Sequence, residues 1–216
     1  APRAASPRPR RRAVRWIVPL ALAATVLIAV GIANRGSGWT VVGAGGEDVL
    51  VDGEPVPCDD LSPLQAALRP GCELVVPDGA RVEVVSDVLA LQADGGTDMT
   101  LPATPGRWFF RDVSSRVRGE GTLRVATGDG FAGASYQIDT GPTELLVTGT
   151  AFSVMSSEDY VCVCVLEGGI AATLPDGSRR EIPSGGRLTV SRDGEGIDVG
   201  SMHEHEREAL ENLKRR

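Results

Sequence analysis

The sequence predicts an all-β body of many short strands, wound as a solenoid-like or twisted β-roll, with an N-terminal transmembrane helix and a short C-terminal helix. Three observations carry this. From about residue 48 to residue 200 short apolar runs alternate with turns, and six Asp-Gly dipeptides (at Asp52, Asp78, Asp94, Asp129, Asp176 and Asp193) mark the turns. Glycine there takes a positive φ freely and aspartate tolerates it. Aromatic residues are scarce, nine in total, while Val, Leu, Ala and Gly dominate, which suits small stacked rungs better than a sandwich built on large rings. Finally, "VPDGARVEV" is echoed by "LPDGSRREI", a hint of stacked repetition.

The elements follow in order. Residues 1–35 contain seven arginines and no acid; the remainder holds 15 basic residues against 29 acidic ones, a net −14. Residues 1–13 read as a basic cytoplasmic tail. Because the chain starts at Ala1 rather than Met, an upstream part is allowed for. Residues 14–34 read as a membrane span: Ile17 to Ala33 carry no charge, and as a helix they measure about 26 Å against a hydrocarbon core of about 30 Å. Trp16, Arg15 and Arg35 suit the headgroup zones. A cleaved signal peptide is the alternative, given the small residues Gly31 and Ala33. Either way the arginines keep the N-terminus cytoplasmic and send the acidic body across. That acidic body repels phosphate backbones, so nucleic acid is not an expected partner, whereas membrane lipid is one through residues 14–34.

Residues 35–47 read as a glycine-rich flexible linker, and residues 48–200 as the β domain. Within it "RVEVVSDVLAL", "GTLRVA", "ASYQID", "TELLVTG", "AFSVM", "YVCVCVL", "GIAATL" and "GRLTVS" have strand character. "LSPLQAALRPG" interrupts as a helix with Ser62 as N-cap, Pro63 at the first helical position, Gln65 closing a capping box and Pro70-Gly71 as the stop. Residues 201–216 form a second helix, with Ser201 and Glu204 as its capping pair. Its narrow apolar stripe of Met202, Ala209, Leu210 and Leu213 leans on the body.

Two stretches, "YQIDTGPTELLVTGTAFSV" and "VCVLEGGIAATLPDGSRREIPSGGRL", resemble the FecR domain, named for the ferric-citrate sensor of Gram-negative inner membranes. The residues that carry the resemblance are Gly149, Thr150, Phe152 and Val154. A strand with Tyr136, Ile138 and Thr140 precedes them, and the segment from Val165 to Ile170, with Gly168, follows. The resemblance covers about residues 75–192. It implies a single-pass inner-membrane regulator with a cytoplasmic N-terminus and a mostly β periplasmic domain that senses another protein. In that family the cytoplasmic part binds an extracytoplasmic-function sigma factor. Here about a dozen residues precede the span, so a sigma factor is expected as partner only with an upstream domain. The family's C-terminal receptor-contact segment has no counterpart in the roughly 25 residues after the matched region. The matched residues themselves read as backbone geometry: Gly149 for a turn or close approach, Thr150 as a turn cap, Phe152 and Val154 on the buried face.

The four cysteines divide into two pairs. Cys162 and Cys164 share one face of a strand and valines fill the other, so the strand is expected to be covered on both sides, its thiols mainly packing as small hydrophobes. A bond between them fits an extended strand poorly. The alternative is a Cu(I) or Zn site with His205 as third ligand. Of the only histidines, His203 and His205, at most one could join, because two positions on a helix diverge by about 160°. Cys58 and Cys72 flank the first helix, and a disulfide between them would close a 15-residue loop, worth ~3 kcal/mol. No catalytic residue and no cofactor are expected: nucleophile-elbow, zincin and C-x-x-C patterns are absent, and no histidine lies within the β body. The leading function is therefore a membrane-anchored sensory or anti-sigma-type regulator whose periplasmic domain binds a protein. A structural or adhesive envelope scaffold and a metal- or redox-binding domain are the alternatives.

Overall fold

The computed structural model describes residues 38–106, 109 and 111–215. The span at 14–34 and its flanks lie outside them, and no helix among the described residues is long and apolar enough to cross a membrane.

The strands are β1 (Thr40–Gly45), β2 (Val49–Val51), β3 (Glu54–Val56), β4 (Glu73–Val75), β5 (Arg81–Val85) and β6 (Leu89–Asp94). They continue with β7 (Thr97–Thr100), β8 (Asp112–Gly119), β9 (Thr122–Thr127), β10 (Ser135–Asp139), β11 (Glu144–Val147) and β12 (Ala151–Ser156). The last are β13 (Tyr160–Glu167), β14 (Gly169–Thr173), β15 (Arg179–Pro183), β16 (Gly186–Ser191) and β17 (Ile197–Ser201). Among the described residues two helices, α1 (Leu61–Ala67) and α2 (Glu204–Lys214), complete the set.

The strands form two sheets. One has eight strands in the order β1-β5-β6-β9-β12-β13-β16-β17, the other nine in the order β15-β14-β11-β10-β8-β7-β4-β2-β3. The chain deposits strands in one sheet and then the other: β5 and β6, then β7 and β8, then β9, then β10 and β11, and so to β17. The all-β expectation is met, with no closed barrel. Nearly every neighbouring pair is antiparallel, and among the described residues only β8 and β10 pair in parallel. Short turns such as Asp-Gly return a strand beside its predecessor, which is an antiparallel arrangement by geometry. Asp52 and Gly53 show this at β2–β3, with φ of 51° and 83°, the left-handed pair a two-residue hairpin needs. Asp129-Gly130 instead enters a one-turn 3-10 helix.

One core lies between the sheets. Leu91, Val125, Phe152 and Val165 meet in register on the eight-stranded sheet, and Tyr136, Ile138, Leu145, Val147 and Ile170 face them from the other. The only polar atom that Tyr136 brings into this layer is satisfied, since its hydroxyl donates to Ser115 Oγ at 2.7 Å, which donates on to the Thr100 carbonyl at 2.8 Å. Burial raises the Tyr136 phenol well above its ordinary pKa.

Three boundaries differ from the sequence expectation. The stretch expected as linker, 35–47, contains β1: Trp39 is buried, its indole Nε1 donating to the Pro102 carbonyl at 2.8 Å, and Thr40 to Gly45 pair with β5. Helix α1 is capped by Asp60, whose carboxylate accepts from Ser62 N at 2.9 Å, so Ser62 and Pro63 lie inside the first turn. Gln65 does not close a capping box. Its amide bridges to β1, accepting from Val41 N and donating to the Trp39 carbonyl, both at 2.8 Å. Helix α2 starts at Glu204 after His203, with Ser201 still in β17.

Candidate functional site

The outer face of the eight-stranded sheet carries a polar row that the two-faced pattern of β13 does not announce. Register aligns Glu83 with Gln92, Gln92 with Arg124, Arg124 with Ser153, Ser153 with Cys164 and Cys164 with Arg187. Opposed residues of an antiparallel ladder share a face, so these side chains form one line across six strands. Helix α2 lies over its middle, burying Met202, Leu210 and Leu213 against Ala126, Ala151, Cys162, Cys164 and Leu166.

At the centre Arg124 meets Glu206, 82 positions away in sequence. The guanidinium holds the carboxylate in two hydrogen bonds, Nη2 to Oε1 at 2.7 Å and Nε to Oε2 at 3.2 Å, and its Nη1 donates to Asp94. Asp94 is held in turn by Arg81 Nε at 2.8 Å and Gln92 Nε2 at 3.1 Å. The side chains of Arg124 and Glu206 are only 10% and 2% exposed, so this is a buried ion pair. Burial works to lower the Arg124 pKa, but the Glu206 and Asp94 carboxylates outweigh it and hold it above the ordinary value.

Cys162 and Cys164 pack under α2 as expected, on the face opposite Val161, Val163 and Val165. They are not equivalent thiols. The hydrogen bond between them holds Cys162 down at about 7 despite its burial, aided by Thr189 and the charge of Arg187. The same bond, with burial, pushes Cys164 far up.

The structure places the other expected residues apart. His205 is exposed, its ring stacked on His203 with centroids 5.7 Å apart, and His203 Nε2 lies 2.7 Å from Arg187 Nη1. The stacking arises because His203 precedes the helix, so the wide divergence of two helical positions does not apply. Among the described residues no three His, Cys, Asp or Glu side chains converge as metal ligands, so the Cys162–Cys164–His205 set is not assembled. Cys58 and Cys72 are both buried free thiols, and the expected disulfide is not formed. Each lies against its own backbone partners, Val49 and Gly45 for Cys58 and Arg69 for Cys72, and burial raises both pKa values.

The motif residues are architectural. Phe152 and Val154 are fully buried. Gly149 (φ 142°) and Gly168 (φ 75°) form a close approach, because a Cβ on Gly168 would stand 2.3 Å from the Gly149 carbonyl oxygen. Thr150 does not cap with its side chain: its hydroxyl has no partner among the described residues, while its backbone N–H donates to Thr127 Oγ1 at 2.8 Å. Sequence reasoning missed Arg124 and Glu206. The signal was present, since Glu206 falls on the stripe of Leu210 and Leu213 at spacings of four and seven.

A second feature is the edge formed by β17. Its outer side has no strand partner among the described residues. Val199 opposes the buried Leu188, hence points to the core side, yet is 60% exposed, and Ile197 is 38% exposed. Between β16–β17 and β15 of the other sheet lies a groove of about 290 Å³, floored by Ile182, Pro183, Leu188 and Val199 and bordered by Arg180.

No family model matches the chain. No curated protein matches it either. Among solved structures, it is similar to two crystal structures, at 1.65 Å and 2.50 Å, of a "putative anti-sigma factor" from Parabacteroides distasonis. Each match has 19% identity and a TM-score of 0.48, and covers 60% of this chain and 59% of the other.

Proposed function

We propose that this protein is a membrane-anchored regulator of the FecR type whose β body, on the far side of the membrane, binds an extended segment of another protein along β17. The observation that carries it is the β17 edge: unpaired backbone groups beside two exposed apolar side chains, at the mouth of an apolar groove. An added strand would satisfy the edge and cover Val199, with main-chain bonds giving affinity and the groove receiving alternate side chains. Sheet proteins ordinarily blunt such edges, and a long hydrophobic one invites pairing. The role is one of binding, not catalysis, and the stretch from Ile17 to Ala33 supplies the anchor.

The test combines capture with regulation. A photo-crosslinking residue is placed in living cells at Val199 and, as control, at Ser114 on the exposed face of the other sheet. Transcript profiles are compared for wild type, a deletion strain and Val199→Asp. Position-specific adducts at Val199, with a Val199→Asp profile that reproduces the deletion, are expected. A folded Val199→Asp protein with the wild-type profile would refute the reading.

A further inference from the structure

Two of the four cysteines and two of the three methionines of this chain meet in one small cluster beneath α2. Cys162 and Cys164 project from β13 on the outer face. Met155 of β12 stands opposite Cys162 in the ladder, on the same face. Met202, buried, closes the group from the segment between β17 and α2. Ala126, Ala151, Leu166 and Leu210 supply aliphatic lining, while Ser153 and Thr189 flank the thiols in register and the charge of buried Glu206 acts on both. Arg187 opposes Cys164 in register and supplies a positive charge at the border.

Four of the chain's seven sulfur side chains belong to this small outer cluster, whereas the much larger core between the sheets holds the other three, Cys58, Cys72 and Met99. Thiolate and thioether are soft donors, and an all-sulfur set selects Cu(I) over harder ions. Zinc prefers four ligands with nitrogen or more thiolates, and no such set converges here among the described residues.

We propose that Cys162, Cys164, Met155 and Met202 form a binding site for a soft monovalent cation of the Cu(I) type. The two thiols lose their protons and bond to the ion as thiolates, and the two methionine sulfurs complete the coordination. Two protons are released per ion and no oxidation state changes. The bound unit carries one net negative charge, and Arg187, which also pairs with Asp198 at 2.6 Å, is the neighbouring cation. Met155, only half-buried, stands at the margin of the cluster and offers the entering ion its first sulfur. The site is separate from the β17 edge and independent of the regulatory reading.

The experiment uses the full chain in detergent, reduced and anaerobic, titrated with Cu(I) supplied as its acetonitrile complex against the chromophoric chelator bathocuproine disulfonate. One Cu(I) per chain withdrawn from the chelator is the expected result, with X-ray absorption showing sulfur neighbours only. Cys162→Ser/Cys164→Ser should abolish withdrawal. Since that variant could lose its fold, Met155→Leu and Met202→Leu, which conserve volume, provide the second arm. Each should weaken binding at least tenfold, and His205→Ala should leave it unchanged. No withdrawal of Cu(I), wild-type affinity in either methionine variant, or tighter binding of Zn(II) than of Cu(I) would overturn the proposal.

Discussion

Replacing Arg124 by methionine should strand Glu206 and loosen α2. The substitution keeps the length of the side chain but removes the bidentate partner of a carboxylate that is 2% exposed. Asp94 is not stranded with it, because Arg81 and Gln92 still donate to it. Breaking a buried pair by deleting one partner costs roughly 3–5 kcal/mol. Against this stands the apolar burial of Met202, Leu210 and Leu213, at roughly 1.5–3 kcal/mol each before the ordering of the helix is subtracted. The two quantities are comparable, so the loss should appear as local detachment of α2 ahead of global unfolding. Amide hydrogen exchange is the direct assay. Protection over 204–214 should fall by a hundredfold or more while β13 keeps its own. Arg124→Met/Glu206→Leu, which replaces both charges by apolar groups, should restore most of it. Protection in Arg124→Met within tenfold of wild type, about 1.4 kcal/mol, would refute the reasoning.

Gly168→Ala should destabilise the body by at least about 2 kcal/mol, read from the urea midpoint through Trp39 fluorescence, because alanine is strained at positive φ and its Cβ would meet the Gly149 carbonyl. In metal-free protein, thiolate absorbance near 240 nm should show a single step with a midpoint near 7, from Cys162. Cys164→Ala should move that step upward, since burial then acts on Cys162 without the hydrogen bond. Arg118 holds the Asp139 carboxyl below its ordinary value. The stability it contributes is therefore present above the unfolded carboxyl pKa and lost as pH falls through the folded one. With Asp139 about half exposed, that is less than about 1 kcal/mol, and Arg118→Ala should flatten the acid limb accordingly. Reporter fusions after Gly36 and at the C-terminus should both report the far side of the membrane, and a cytoplasmic signal from either would refute the proposed topology.

Local chemistry in the sequence determined the class of the body, the position of most turns and the existence of both helices. Asp-Gly pairs dictate reversal wherever they stand, and alternation sorts the side chains of a strand whatever it pairs with. That is why "YVCVCVL" was legible as a strand covered on both faces. What lay beyond it was decided by partners distant in sequence. "TVVGAGG" reads as a spacer until the Gln65 amide supplies hydrogen bonds to its backbone and β5 pairs with it. "RVEVVSDVLAL" reads as one strand, but Ser86 turns it: its hydroxyl accepts from Leu89 N at 3.1 Å and divides the run into β5 and β6. Cys58 and Cys72 are neighbours by spacing, yet each thiol settles against different backbone groups. Arg124 and Glu206 are two ordinary charges until α2 folds back across the sheet, and only then does their pairing become cheaper than exposing either. Alternation assigns a residue to a face, but which element covers that face is fixed only when the whole chain has packed.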